Sequence, residues 1–234
     1  MKKSVKISRI ITIAICEVIT LCAIIMLFSA KKYSRSLLAF LTIFLIFLPE
    51  IFEKLFRCRM NNALYILTVF YTVGPMLGHC CNFYYRISWW DKVLHTYGGV
   101  LFALLGIFLF ERLCKENKSK AIVIIFAICF SIGISVIWEF FEFGADMIFG
   151  DDMMDDVVIT DINSYLLGDS VGEIGSINDI TTVEINGSPL PVCGYIDIGL
   201  IDTMTDMLLE TLGAIVATLV CYVPKWQLHF IKAL

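Results

Sequence analysis

The chain has 234 residues, of which 59% are hydrophobic and 17% are charged, and its mean hydropathy is +0.82. This composition excludes an ordinary soluble domain, in which about 25% of residues are charged. The formal net charge of -4 gives no sign of a nucleic-acid partner. The sequence therefore predicts an all-α integral membrane protein whose immediate partner is the lipid bilayer.

Six apolar segments are long enough to cross a hydrocarbon layer of about 30 Å. The second and third are short, and Pro49 and the pair Gly74 and Pro75 predict kinks or breaks in them. The first follows basic residues but lacks a small-residue cleavage site, so we expect a retained anchor. The six predicted segments cover residues 10–28, 37–52, 63–78, 91–110, 121–143 and 200–223.

The distribution of lysine and arginine predicts how the chain is oriented. If the N-terminus is cytoplasmic, 13 of the 18 basic residues fall on the cytoplasmic side, whereas residues 144–199 contain none. This follows the positive-inside rule for a bacterial plasma membrane protein with both termini inside. The predicted organisation is five spans in residues 1–143, an extracytoplasmic insert in 144–199, and a sixth span with a cytoplasmic tail in 200–234.

The insert is predicted to be a small folded cap. Residues 151–156 form an acidic run, which is typical of a solvated loop, with weak cation attraction as the alternative. Residues 180–193 predict a β-hairpin with a type I′ turn at Asn186 and Gly187. Five apolar residues are expected to give the cap its core: Val157, Ile159, Tyr165, Leu166 and Ile174.

The nine cysteines do not form a metal-binding or redox pattern. Several fall within predicted spans, where a thiol packs as a small apolar group. Only Cys80, Cys81 and Cys193 are predicted to face outward. A single bridge from Cys193 to Cys80 or Cys81 is therefore the one disulfide that the sequence allows there.

Ionisable residues recur at helical spacing in the last three predicted spans. Each such group costs roughly 2.5 to 3.5 kcal/mol in a membrane span, so a compensating partner is expected. Gly98, Gly99 and Gly213 continue two of these faces and would allow a helix or ligand to approach. Since all three stripes lie in the predicted outer half, we expect one outward-facing pocket. The stripes contain Asp91 and His95, then Glu139, Glu142 and Asp146, then Asp202, Asp206 and Glu210.

A histidine among several carboxylates suits a divalent metal ion such as Mg²⁺, Mn²⁺, Ca²⁺ or Zn²⁺. Simpler roles remain open for several of these residues. Asp91 could cap a helix at an aromatic belt, and the helix dipole alone would favour Asp202. His95 could form a hydrogen bond with a neighbouring helix, and the deeper carboxyl groups could be protonated and bonded between helices.

These same stretches resemble the uncharacterised YjdF-type bacterial inner-membrane proteins, which are similar to the VanZ-like membrane proteins. The resemblance lies in Trp90 to His95 with Gly98 and Gly99, in Trp138 to Glu142 with Asp146, and in Asp202 to Met207 with Gly213 and Ala214. It extends from about Pro49 to the end of the sixth span and implies no known chemistry. His79 replaces an expected acid and Glu210 an expected asparagine, so the resemblance implies an altered ligand set.

Three functional classes are compatible with this pattern. The first is a cell-envelope protein with an outward-facing cation site, acting by metal-assisted hydrolysis or transfer on an envelope lipid or wall precursor. The second is a cation or proton-coupled transporter, although no inverted repeat is visible. The third is a non-catalytic scaffold or sensor. The sequence does not indicate an oligomeric state, the metal, or whether the protein is an enzyme.

Overall fold

The structure is a computed structural model that describes residues 3–114, 119–150 and 152–222. Asp151 of the acidic run and the predicted tail over 223–234 lie outside the described residues. The described chain is mainly helical, which confirms the predicted fold class. Its helices are α1 (Lys3–Ser29), α2 (Tyr33–Leu45), α3 (Leu48–Leu55), α4 (Asn62–Cys80), α5 (Phe83–Arg86), α6 (Trp90–Leu113), α7 (Lys120–Phe149) and α8 (Leu200–Tyr222).

Six segments of the described chain are long and apolar enough to cross a membrane, as predicted. The second comprises α2 and α3, because the helix is interrupted at Ile46 and Phe47 and restarts with Pro49 in its first turn. The expected break at Gly74 and Pro75 is wrong, since α4 continues through both residues, while the alternative of a kink there stays a prediction. Prolines are tolerated inside membrane helices because neighbouring groups satisfy the freed backbone.

The chain divides into two compact units, and α7 and α8 each contribute to both. We call residues 1–136 and 207–234 the helical unit, and residues 137–206 the insert unit. In the helical unit, α1 packs on α2 and α4, and α4 packs on α6. Tyr65 and Val69 of α4 and Phe108 of α6 are among its most deeply buried side chains.

A buried arginine ties α1 to the helices that follow it. Arg9 donates to both oxygens of Glu53, at 3.0 and 3.2 Å, and to the Met60 carbonyl at 2.7 Å. Its guanidinium group also lies 3.9 Å from the centre of the Tyr65 ring. The sequence had shown Arg9 only as one of the basic residues that precede the first span. The structure instead makes it an internal ion pair.

Two glycines allow α6 and α8 to approach closely in the helical unit. A Cβ atom added at Gly99 would overlap the backbone of Glu210, and one added at Gly213 would overlap the Thr96 carbonyl. Small residues at such a contact let the backbones of membrane helices meet. The buried alanines Ala103, Ala214 and Ala217 extend the same contact. At Gly99 and Gly213, where the sequence predicted the approach of a helix or a ligand, the structure therefore places a helix.

The insert unit contains three short antiparallel strand pairs. They are β1 (Val158–Ile159) with β6 (Tyr195–Ile196), β2 (Ile162–Ser164) with β3 (Gly175–Ile177), and β4 (Glu184–Ile185) with β5 (Ser188–Pro189). A short 3₁₀ helix, Tyr165–Leu167, follows β2. Positive φ angles of 54° at Asn186 and 78° at Gly187 confirm the predicted hairpin turn. The strands are shorter than predicted because Pro189 and Pro191 lack the N–H groups that a longer ladder needs.

The predicted apolar core of the insert is not formed as expected. Tyr165, Leu166 and Ile174 are exposed, whereas Val157 and Ile159 are half-buried. Two-stranded pairs are too small to bury a face on their own, and these three pairs do not join into one sheet. All nine cysteines are free, so Cys193 is not bridged to Cys80 or Cys81.

The close approach of α6 and α8 makes a testable prediction. Gly99→Ala should destabilise the solubilised protein by about 1 to 3 kcal/mol, because the new methyl group meets backbone atoms that cannot move aside cheaply. Gly133→Ala on α7 is the matched control, since a Cβ there has nothing within 4 Å. It should be neutral or stabilising by up to about 1 kcal/mol. Thermal unfolding in detergent measures both, and equal effects would contradict the packing described.

Candidate functional site

The first two turns of α6 supply two ionisable groups that face each other. Asp91 and His95 are four residues apart and therefore share one side of the helix. His95 Nε2 lies 3.4 Å from Asp91 Oδ1, and His95 is buried. Lys92 Nζ lies 3.0 Å from the other Asp91 oxygen, Oδ2. The aspartate is thus shared between an imidazole and an ammonium group.

The helical unit brings a second carboxylate, from α8, to the opposite side of the imidazole. Glu210 Oε2 lies 3.9 Å from His95 Nδ1, and the Glu210 side chain is almost fully buried. The approach is possible because Gly99 and Gly213 let the two backbones meet. Each nitrogen of His95 therefore has a carboxylate near it, one from its own helix and one from α8.

A serine on α7 completes this group. Ser131 Oγ is buried, lying 3.4 Å from Glu210 Oε1 and 3.3 Å from the Gly99 carbonyl oxygen. The sequence analysis did not single out Ser131, although it lies two helical turns from Glu139 on the same predicted span. We refer to Asp91, Lys92, His95, Ser131 and Glu210 as the histidine cluster.

The charges of the histidine cluster determine whether it requires a further positive charge. Asp91 and Glu210 contribute two negative charges when ionised, and Lys92 contributes one positive charge. With a neutral imidazole the group carries a net charge of -1, which is costly in a membrane interior. Protonation of His95 would balance this charge, and a divalent cation would balance it together with one further anionic ligand.

The other predicted ligands lie in the insert unit, where several have backbone partners. Asp146 accepts from the N–H groups of Met153 and Met154, at 2.6 and 3.0 Å, and Asp202 accepts from the Asp155 N–H at 3.1 Å. These bonds organise the described part of the acidic run, which sequence analysis favoured as a solvated loop. The start of α8 and the loop after α7 are thereby held together.

Three more acids of the predicted set are buried in the insert unit. Glu142 accepts from the indole N–H of Trp138 at 2.8 Å, one turn earlier on α7. Glu139 and Asp206 are buried. The prediction that these acids share a single site with His95 stays a prediction.

Asp197 is an organising carboxylate that the sequence reasoning missed. It accepts from the backbone N–H groups of Val157 at 2.8 Å, Gly199 at 3.3 Å and Ile201 at 2.7 Å. It therefore links the approach to β1 with the first turn of α8. An aspartate just before an apolar helical run is a recognised helix-start signal, and it could have been used here.

Backbone hydrogen bonding also perturbs the ionisation of Asp197. Burial alone would raise its pKa, but donation from the N–H groups of Ile201, Val157 and Gly199 outweighs this and lowers the pKa below its ordinary value of 3.8. A lowered pKa in the folded state means that the ionised carboxylate stabilises the fold. This contribution is present above pH 3.8 and is lost as the pH falls through the folded-state pKa.

Comparison with known proteins assigns the chain to a family whose description names no activity. Residues 11–226 match the family described as "Predicted membrane protein (DUF2238)", so the chain belongs to that family. It is also similar to an uncharacterised protein of Thermotoga maritima, with 28% identity over 109 residues. That match covers 45% of this chain and 55% of the relative, so the chain spans about half of the relative's length. No solved structure matches the chain.

The role of Asp197 predicts an effect of mutation on the insert. Asp197→Asn should destabilise it by about 1 kcal/mol at neutral pH, because an amide oxygen accepts these bonds more weakly and solvent screens the loss. Proteolysis of the insert in the full-length, solubilised protein should then become roughly fivefold faster. The wild-type protein should approach the mutant's rate as the pH is lowered below 3.8.

Asp179→Asn is the matched control for this experiment. Asp179 is an exposed acid of the same unit whose backbone φ of 53° an asparagine adopts readily. Its proteolysis rate should equal that of the wild-type protein. Equal acceleration in both variants would mean that lost negative charge, rather than the Asp197 hydrogen bonds, controls the insert.

Proposed function

We propose that this member of the DUF2238 family is a cell-envelope membrane protein that binds a divalent cation at His95. The observation that carries the proposal is a buried imidazole with a carboxylate beside each of its nitrogens, Asp91 at 3.4 Å and Glu210 at 3.9 Å. Ionisable residues inside membrane spans are costly and are typical of functional sites.

The geometry distinguishes the roles of the two acids. One ion can bind only one nitrogen of an imidazole ring. Asp91 lies beside Nε2 and Glu210 lies beside Nδ1, so only one of the two acids can share an ion with His95. Ligand atoms about 2.1 Å from a zinc-like ion at tetrahedral angles are about 3.4 Å apart. The separation of His95 Nε2 and Asp91 Oδ1 matches that value. We therefore assign these two atoms as ligands.

Glu210 is then the candidate to orient the ring, across a distance of 3.9 Å that a hydrogen bond would have to shorten. Metal-bound histidines usually donate their second N–H to a carboxylate, which fixes the tautomer and makes the ligand more basic. Glu210 Oε2 lies on the Nδ1 side, and Ser131 lies within hydrogen-bonding distance of the other Glu210 oxygen. Water would complete the coordination of the ion, and the sequence-based expectation that further acids take part stays a prediction.

A divalent ion at this position would act as a Lewis acid toward an oxygen of a bound substrate. Together with the predicted outward orientation, this supports an activity on a phosphate-bearing envelope lipid or wall precursor. Lys92 would supply a second positive group for such an anion, since its ammonium group lies beside Asp91. We also propose the orientation inferred from the basic residues, with the insert outside the cytoplasm and both termini inside it.

Metal analysis of the purified protein tests the site. After dialysis against trace divalent ions, the wild-type protein should retain close to one ion per chain, and His95→Ala and Asp91→Asn should lose it. Glu210→Gln should retain the ion with affinity reduced by about 10- to 100-fold, as is typical for partners that orient a ligand. Asp206→Asn tests whether a sequence-predicted acid contributes.

Glu111→Gln is the control, because Glu111 is an exposed acid on the same helix as His95. It should bind metal as the wild-type protein does. Affinity should also fall as the pH is lowered, because protons compete for the ligand atoms. A wild-type protein that retains no metal, or a His95→Ala protein that retains it fully, would contradict the proposal.

A cation or proton-coupled transporter is the second candidate. It is favoured by the buried charged groups of the helical unit, since carboxylates within spans are common in ion pathways. Cation uptake into proteoliposomes separates it from the first candidate. Uptake that is abolished by His95→Ala and unchanged by Glu111→Gln would establish transport. Metal binding without uptake would support the fixed site. If the protein showed neither binding nor uptake, the scaffold or sensor would be the remaining class.

A further inference from the structure

The insert unit exposes an apolar hairpin tip that the proposed cation site does not use. The hairpin is formed by β2 and β3, which pair from Ile162 with Ile177 to Ser164 with Gly175. We call residues 165–174 between them the apolar tip. Leu166 is 94% exposed and Val171 is fully exposed, while Tyr165 is 67% and Ile174 is 54% exposed. Four exposed apolar side chains within ten residues of the chain make this segment a candidate interaction surface.

The exposed residues are held in a defined geometry. Ser164 accepts from the Leu166 N–H at 3.1 Å and caps the 3₁₀ helix, and the Ser170 hydroxyl donates to Glu173 at 2.8 Å. A Cβ at Gly168 would overlap the Glu173 carbonyl, and one at Gly175 would overlap that of Leu167. These backbone contacts close the base of the tip and leave its apolar side chains outside.

The charge around the tip restricts what could cover it. Residues 144–199 contain eleven acidic residues and no basic residue. Two of the acids, Asp169 and Glu173, belong to the tip itself, and both are exposed. An anionic lipid surface or a second acidic insert would be repelled at short range, because like charges oppose association. A partner that offers apolar and basic groups together complements both features of the tip.

We propose that the apolar tip is a docking site for a cationic amphipathic polypeptide segment. Such a segment carries lysine or arginine on one face and leucine-like residues on the other, as a basic amphipathic helix does. Its apolar face would cover Leu166 and Val171, and its basic residues would pair with Asp169 and Glu173. This binding role is independent of the cation site at His95.

Fluorescence anisotropy with the full-length protein in nanodiscs of zwitterionic lipid tests the proposal. The probe is a labelled peptide of about 14 residues, four helical turns, built of leucine and lysine at amphipathic spacing. It should bind saturably and more weakly at higher salt concentration. The double variants Leu166→Ser with Val171→Ser, and Asp169→Asn with Glu173→Gln, should each raise Kd about tenfold.

Ile185→Ser with Glu184→Gln is the matched control, since it removes one exposed apolar residue and one exposed acid from the other hairpin. This variant should bind the peptide as the wild-type protein does. All these side chains are exposed, so thermal unfolding should be unchanged in every variant. Oligolysine should bind much more weakly than the amphipathic peptide.

Several outcomes would overturn the proposal. They are absence of peptide binding, equal binding of oligolysine, and equal loss of binding in the control variant. Quenching by brominated lipid in a Leu166→Trp protein, beyond the quenching of the four native tryptophans, would show that the bilayer covers the tip. Cross-linking between chains that is lost in Leu166→Ser with Val171→Ser would show that a second copy covers it.

Discussion

The contact between α6 and α8 is the constraint on which the histidine cluster depends. Gly99 and Gly213 bring the two backbones so close that Glu210 can lie beside an imidazole carried by the other helix. Larger residues at either position would separate the helices and move Glu210 away from His95. Water cannot solvate isolated charges inside a membrane. The close helix contact therefore also determines whether the charged groups of the cluster can stabilise one another.

Backbone amides, rather than basic side chains, stabilise much of the negative charge in the insert unit. Asp146, Asp197 and Asp202 accept N–H groups from the segments that join α7, β1 and α8. Hydrogen bonds to a carboxylate are stronger than those between neutral groups. A segment without lysine or arginine can thus fold around its own acids. Because residues 144–199 contain no lysine or arginine, Asp169 and Glu173 have no basic neighbours in the sequence, and the apolar tip carries a negative charge.

The sequence predicted the six spans, the Asn186 and Gly187 turn and the close approach at Gly99, because periodicity and residue size determine these features locally. It did not predict the continuity of α4 through Pro75 or the exposure of Leu166, which depend on what surrounds them. Helical spacing also could not reveal that Asp91 and Glu210 lie on opposite sides of one imidazole ring. That arrangement depends on the rotation of α8 relative to α6, for which a single sequence contains no signal.

The ion pair between Arg9 and Glu53 bears on the biosynthesis of the chain as well as on the stability of the fold. The two residues are 44 positions apart, so the first span emerges from the ribosome before its counterion exists. At roughly 5 to 20 residues per second, translation supplies Glu53 several seconds later. During that interval Arg9 must stay near the aqueous boundary, where its long side chain can reach water. The ion pair that holds the N-terminal helix can therefore form only after the second span has been synthesised, although that helix is synthesised first.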